Sequence, residues 1–270
     1  MAAGAWLPHA SSVAAFVGQL GGYVALSSAL QSAYYIRRAG QEAAWKVQPD
    51  RRAGSGERAQ WWLPALALLP GTGSRPAGRH PRHALYCTLN LLASAAFAAL
   101  VVEGYCRGWN NLRPSVGAPA LLGVEGWPLA KASCAQTLVE YYWHRLMHWP
   151  PCYKALHKLH HYYKSPKPFD DLFIHPLEAC GYYTILYLLP TCCLGAMPVA
   201  DFAAYIALHG LLGVLDHSGI TLSLQPLYAV ADHDAHHQLF HFNYGFPTTL
   251  MDALHGTRHS PGRRSTAMKG

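Results

Sequence analysis

Charge is scarce in this chain. Asp, Glu, Lys and Arg make up 13% of its 270 residues, about half the roughly 25% usual for a soluble domain. That shortage excludes a water-soluble surface of ordinary composition. Acids are the rarer sign, 14 against 21 basic residues. From His144 to Phe169 there is no acid at all, while Arg145, Lys154, Lys158, Lys164 and Lys167 fall there. Such a stretch suits a membrane flank facing anionic headgroups, or an acidic protein partner. No nucleic-acid recognition module accompanies it, so nucleic acid is not expected as a partner. Cysteine is present without pattern. There are seven, an odd number, and no C-x-x-C, which excludes a disulfide framework and a zinc-finger spacing. H-E-x-x-H is missing too, since Arg145 and Lys158 follow His144 and His157. A zinc-dependent hydrolase would therefore lack its usual general base.

What is present is apolar length. Half of the residues, 51%, are hydrophobic, yet the mean hydropathy of +0.05 is low for a bundle wholly in lipid. A membrane protein with a sizeable polar cap fits both values. Ser11 to Ile36 is apolar and rich in Ala, Gly and Ser, with Arg37 and Arg38 directly after it. No basic residue precedes it, so a retained anchor with its C-terminal end in the cytosol is expected rather than a cleaved signal. Gln48 to Gln60 reads as a polar linker, Trp61 to Pro70 as an interfacial or re-entrant segment, and Pro70 to His83 as a loop. Ala84 to Tyr105 is the clearest spanning candidate. A turn at Asn110 to Pro119 leads to a less apolar return, Leu121 to Tyr142, interrupted by Pro128 and Lys131. Ala179 to Val199 and Ala200 to Leu215 suggest a second hairpin, bent near Pro190 and Pro198. The expected fold is all-α: an N-terminal anchor and two helical hairpins, with the polar segments gathered on one cytosolic face. The expected organisation is an anchor and linker over 1–83, a catalytic domain over 84–258 and a basic tail over 259–270.

Twelve of the 17 histidines lie between His144 and His241. Eight form three clusters: His144 and His148; His157, His160 and His161; His233, His236 and His237. On a helix, residues four apart differ by about 40° around the axis and residues three apart by about 60°. Each cluster can thus present two or three imidazoles to one centre. Neutral imidazole is the commonest metal ligand. Eight ligands exceed the four of a structural zinc site, so two metals are the expected count. Imidazole alone does not choose among zinc, copper, iron and nickel. His217, at the end of the last apolar helix, is expected to join the set, and His175, His209 and His241 are further candidates. Metal-bound histidines usually give their second ring N–H to a carboxylate or carbonyl. Glu140, four residues before His144, and Asp216, Asp232 and Asp234 are candidates for that role.

The order H-x-x-x-H, then H-x-x-H-H after eight intervening residues, a long apolar stretch and a second H-x-x-H-H resembles the fatty acid hydroxylase/sterol desaturase superfamily. Tyr142-Trp143-His144-Arg145, His175-Pro176-Leu177-Glu178, Asn243-Tyr244-Gly245, Asp252 and Gly256-Thr257 carry the same resemblance, which runs over about residues 84 to 258. The short gap between His148 and His157 separates it from soluble-carrier and acyl-CoA desaturases, whose first two boxes stand farther apart. The resemblance implies an integral membrane enzyme of the endoplasmic reticulum with two non-haem iron ions. It implies that O2 is the co-substrate and that an unactivated C–H bond of a lipid is oxidised. Electrons would come from a separate cytochrome b5-type carrier fed by an NAD(P)H reductase. Hydroxylation, desaturation and repeated methyl oxidation all fall within that chemistry. No His-Pro-Gly-Gly stretch is present, so no fused cytochrome b5 domain is expected. Gly213 stands four before His217, where some ceramide-type hydroxylases resemble an H-x-x-x-H pair, which leaves sterols and other lipids as the expected substrates. Two other classes stay open on the residues alone: a membrane metal transporter or sensor, and a zinc-dependent membrane hydrolase.

Overall fold

A computed structural model describes residues 7–50, 80–116 and 123–259. The expected linker beyond residue 50, the Trp61–Pro70 segment, most of the following loop and the basic tail past residue 259 lie outside the described residues, as does part of the turn at 110–119. The chain enters as helix α1 (Ala10–Leu30), which continues through the π-helical turn Gln31–Ile36. A short helix α2 (Glu42–Trp45) follows. Helix α3 (His83–Cys106) runs beside α1. Polar side chains join the two helices. A Cβ at Gly18, Gly21 or Gly22 would meet open space, while Gln19 Nε2 donates to Ser94 Oγ at 3.1 Å and Ser12 Oγ to Glu103 Oε2 at 2.6 Å.

Helix α4 (Trp127–Met147) begins at Gly126, whose φ of 83° suits a residue without Cβ. The buried Asp201 carboxylate accepts the backbone N–H groups of Glu125, Gly126 and Leu129 and so caps this helix start from another element. After α5 (Pro150–Ala155) and a 3₁₀ turn, His157–Tyr162, comes α6 (Pro176–Tyr183). It widens into the π-helical stretch Thr184–Cys193, which contains Pro190. Proline offers no N–H to the helical ladder, and Thr191 Oγ1 bonds back to the carbonyl of Tyr187 at 2.7 Å. Helix α7 (Val199–Asp216) returns along the bundle. Helices α8 (Val230–Leu239) and α9 (Leu250–His255) complete the cap.

Two small sheets accompany the helices. Strand β1 (Leu112–Arg113) pairs in parallel with β2 (Met197–Pro198), and β3 (Ser223–Leu224) pairs antiparallel with β4 (Tyr228–Ala229). The fold is thus mostly helical, with two minimal sheets of two-residue strands. The first hairpin differs from expectation. Segment 176–193 packs against both α3 and α4 and stands between them. Ser94 meets Tyr187 at 3.0 Å, and the Asn90 amide reaches the carbonyls of Leu172 and Ile174, each at 2.9 Å. By length and composition, three described helices suit a membrane crossing: Ala10–Ile36, His83–Cys106 and Val199–Asp216. This suggests membrane integration. Helix α4, with Lys131, Glu140 and Arg145, is not among them.

The bundle has two distinct ends. At one, Glu103 meets His9, Ser12 and Arg107, Asn111 pairs with Thr191, and Lys131 reaches the Leu194 carbonyl. At the other, the Tyr35 hydroxyl donates to Ser218, His83 meets Asp170 at 2.8 Å, and α4 ends in the first histidine cluster. The last turn of α7 and the first turn of α6 reach this same end.

Candidate metal centre

Nine imidazoles converge at the second end in two sets. His144, His148, His157, His161 and His236 form one; His160, His217, His233 and His237 form the other. Within each set one ring nitrogen per residue lies within 4.8 Å of the rest. Neighbouring residues divide between them: His160 from His161, and His236 from His237. The two sets are therefore tied together by backbone. His157, His160 and His161 sit on a 3₁₀ turn, not the α-helix their spacing suggested, yet His157 and His161 still share a set.

The second ring nitrogens decide what the first can do. His144 Nδ1 donates to the Tyr244 carbonyl at 2.8 Å, His236 Nδ1 to that of Phe242 at 2.6 Å and His237 Nδ1 to that of Tyr163 at 3.2 Å. His217 Nδ1 meets the Gly213 carbonyl at 2.8 Å and Asp171 Oδ1 at 3.1 Å. His157 Nδ1 meets Glu178 Oε1 at 2.5 Å. With the proton held on Nδ1, Nε2 keeps a free lone pair. These lone pairs face one another. Nε2 of His157 is 3.1 Å from those of His148 and His161, and Nε2 of His217 is 3.1 Å from that of His233. A metal ion set among these nitrogens would take up the lone pairs that the Nδ1 hydrogen bonds leave on Nε2. His144 Nε2 and His237 Nε2 are buried with no hydrogen-bond partner at all. The donor set therefore fits metal ions, one for each set.

Electrostatics agree. Burial, reinforced by the neighbouring imidazoles, pushes the pKa of His148, His160, His161, His233 and His236 down. That of His237 falls for the same reasons. These rings are neutral at pH 7 and need no deprotonation to bind metal. His217 runs the other way. Burial lowers its pKa, but the hydrogen bond and charge of Asp171 outweigh it and raise the value.

The other candidate residues lie apart from the two sets. His209 is buried under Tyr205 and Phe246, with Nε2 3.3 Å from Ser133 Oγ. His175 caps α6, its Nδ1 accepting from the Leu177 N–H. His241 is exposed beyond α8. Glu140 does not orient His144, because the Tyr244 carbonyl takes that place. Its side chain leans back one turn to accept from Gln136 Nε2 at 2.8 Å, following the N-terminal tilt of helical side chains. Asp234 accepts from Gln48 and Gln238, and Asp216 is buried beside Tyr228. The carboxylates that do meet the imidazoles, Glu178 and Asp171, were not picked out for that role. They lie 21 residues after His157 and 46 before His217, and no local spacing signals such contacts.

Between the two sets and the bundle lies a cavity of about 90 Å³. His144, His157, His160, His217 and His233 form its polar floor. Glu140, Trp143, Ile174, Tyr182 and Phe246 contribute to its walls. The arrangement defines a class: a helical, membrane-suited protein with a two-set histidine centre beside an internal cavity.

Residues 129–257 match the family model named fatty acid hydroxylase. Over this stretch the chain matches the fatty acid hydroxylase/sterol desaturase superfamily. A Delta(7)-sterol 5(6)-desaturase of Aspergillus fumigatus is 35% identical over 136 residues, 47% of this chain and 37% of that protein. A protein of the same name from Candida dubliniensis is 30% identical over 175 residues, 63% of this chain and 43% of its own length. A methylsterol monooxygenase of Aspergillus fumigatus is 34% identical over 130 residues, 45% of this chain and 44% of that protein. The matched stretch thus spans less than half of each relative. No solved structure matches the chain.

Proposed function

We propose that the chain is a membrane-bound, O2-dependent oxidoreductase that hydroxylates or desaturates a lipid, with two iron ions as cofactor and a sterol as substrate. One observation carries this: nine imidazoles gather into two sets, each ring with one nitrogen toward its set, and five of them form the floor of a cavity at one end of an apolar bundle. His144, His148, His157, His161 and His236 would hold one ion, and His160, His217, His233 and His237 the other. Bound there, iron supplies O2 activation and the oxidation of an unactivated C–H bond. The protein supplies the rest. Glu178 and Asp171 hold His157 and His217 in register, the carbonyls of Tyr244, Phe242 and Tyr163 hold three more rings, and the buried walls keep water from the reacting carbon.

The stoichiometry sets the partner. Desaturation removes two hydrogens from adjacent carbons while O2 becomes two waters, so two more electrons and two protons are needed. Hydroxylation adds one oxygen and releases one water with the same demand. A cytochrome b5-type carrier with an NAD(P)H reductase meets it. The proposed location is the endoplasmic reticulum, with the histidine end in the cytosol. The sterol substrate rests on the relatives' names. Gathering all nine rings at one end, rather than along a path between the ends, speaks against a metal transporter. Lipid profiling with labelled O2 in cells with and without the protein is the test. A sterol product carrying the label, or a sterol that accumulates without the protein, is expected, and a fatty-acyl product in its place would replace the sterol as substrate. An unchanged lipidome overturns it.

A further inference from the structure

The cavity is too small for any lipid. At about 90 Å³ it falls well below the roughly 300–1,000 Å³ of typical ligand sites. If the site oxidises lipid, one wall must yield. Three rings of the imidazole floor, His144, His157 and His217, are held by hydrogen bonds from their outer nitrogens. Met147, Ile174 and Phe246 are buried in the fold. Of the apolar wall residues, only Trp143 and Tyr182 are also partly exposed at the outer surface. They come from α4 and α6, the two helices that flank this side.

The fit of Trp143 is unusually specific. Its indole occupies the space that a side chain at residue 181 would need. A Cβ built on Gly181 would lie 2.6 Å from the indole Cζ2 and collide with Cη2 as well. Glycine at 181 therefore seats the indole across the gap between α4 and α6. The surface outside is suited to lipid. Leu138, Tyr142 and Leu146 form an exposed stripe along α4, four residues apart, and Leu177 is exposed on α6.

We propose that Trp143, seated on Gly181, is the gate through which the hydrocarbon body of the substrate passes from the bilayer into the cavity, and that it selects the substrate by shape. This rests on the lipid-oxidation reading. The indole narrows the cavity on this side when no substrate is present. Its displacement toward the bilayer opens a lateral path between α4 and α6 and brings a carbon of the lipid over the imidazole floor.

The test uses the full chain, freed of metal, in lipid nanodiscs with a sterol brominated on its side chain. Bromine quenches tryptophan on contact, so no turnover is needed. Wild-type protein should show saturable quenching that excess unlabelled sterol reverses. Trp143→Phe should bind tritiated sterol but lose most of that component. Gly181→Ala, which evicts the indole without removing it, should shift the sterol affinity at least about threefold. In the iron-loaded protein, Trp143→Ala should move kcat/KM toward a bulkier substrate by roughly tenfold or more, the scale of one methylene in a fitted pocket. Sterol binding with unchanged quenching in Trp143→Phe overturns the gate and leaves the lipid reading intact. Saturable quenching by brominated phosphatidylcholine alone, with the same loss in Trp143→Phe, keeps the gate and replaces the sterol with an acyl lipid. No saturable binding of either lipid overturns both.

Discussion

For five of the nine imidazoles, His144, His157, His217, His236 and His237, a partner on the outer nitrogen turns the other nitrogen toward its set. His157 shows it most clearly, because Glu178 fixes the proton on Nδ1 and turns Nε2 inward. Glu178→Gln should therefore lower metal affinity roughly 10–100-fold, whereas Glu140→Gln should leave metal content unchanged because Glu140 touches none of the rings. Elemental analysis of both purified variants checks this, and equal loss in the two would contradict the assignment. His160→Ala should reduce two metals per chain to about one, by emptying the four-residue set, and His209→Ala should keep both. The metal-free protein should also be sensitive to acid. Seven of these histidines have their pKa pushed below the ordinary 6.5 by burial. The unfolded chain then binds more protons than the folded one as pH falls through 6.5. Stability is retained above that pH and declines below it, and urea melts between pH 8 and 5 should show the midpoint dropping steeply. Bound metal should suppress the decline, because it holds the rings neutral.

At the level of elements, the loop after α8 matters as much as the helices. Tyr244 supplies the carbonyl that orients His144, and its own N–H and that of Gly245 donate to Asp252 at 2.8 and 2.7 Å. A Cβ at Gly245 would strike the Thr248 carbonyl oxygen and the Asp252 carboxylate. Gly245→Ala should therefore shift the Tyr244 carbonyl and weaken metal binding, although residue 245 touches no imidazole. Loss of one metal with a near-native circular dichroism spectrum is the expected result; full metal content would show that the loop tolerates the change. This is also where the sequence was hardest to read. The α4 pair His144 and His148 follows from a four-residue spacing, and the division of His236 from His237 follows from their divergent directions on one helix. The partners of the outer nitrogens do not follow, because Tyr244, Phe242 and Tyr163 act through backbone carbonyls, which any residue type offers. Segment 176–193 entering between α3 and α4 was hidden for a similar reason. Its apolar run gives length, whereas Asn90 and Ser94, which hold it there, look like isolated polar residues in an apolar helix.

For the whole molecule, the placement of charge around the histidine end sets both topology and electron supply. Lys154 and Lys158 are exposed, and Lys164 lies over the Phe240 ring at 5.1 Å, which itself lies tilted against the His161 ring at 4.8 Å. The basic, acid-free stretch thus lies directly outside the five-residue set. Positive charge favours the cytosolic side, so a glycosylation acceptor inserted after Lys154 should stay unmodified, while one placed before Leu7, at the opposite end of α1, should be modified in the lumen. The reverse pattern would overturn the orientation. An acidic electron carrier should meet the same basic face, with an association rate that falls as salt rises. Reversing Lys154, Lys158 and Lys164 to Glu should slow reduction of the metal-loaded protein by cytochrome b5 at least about tenfold at low ionic strength and flatten its salt dependence. Metal content should remain at the wild-type level, because none of the three side chains reaches an imidazole nitrogen. Stopped-flow reduction across a salt series separates the possibilities. If the reversed protein is reduced at the wild-type rate with the wild-type salt slope, these lysines serve only the membrane flank and electrons enter elsewhere.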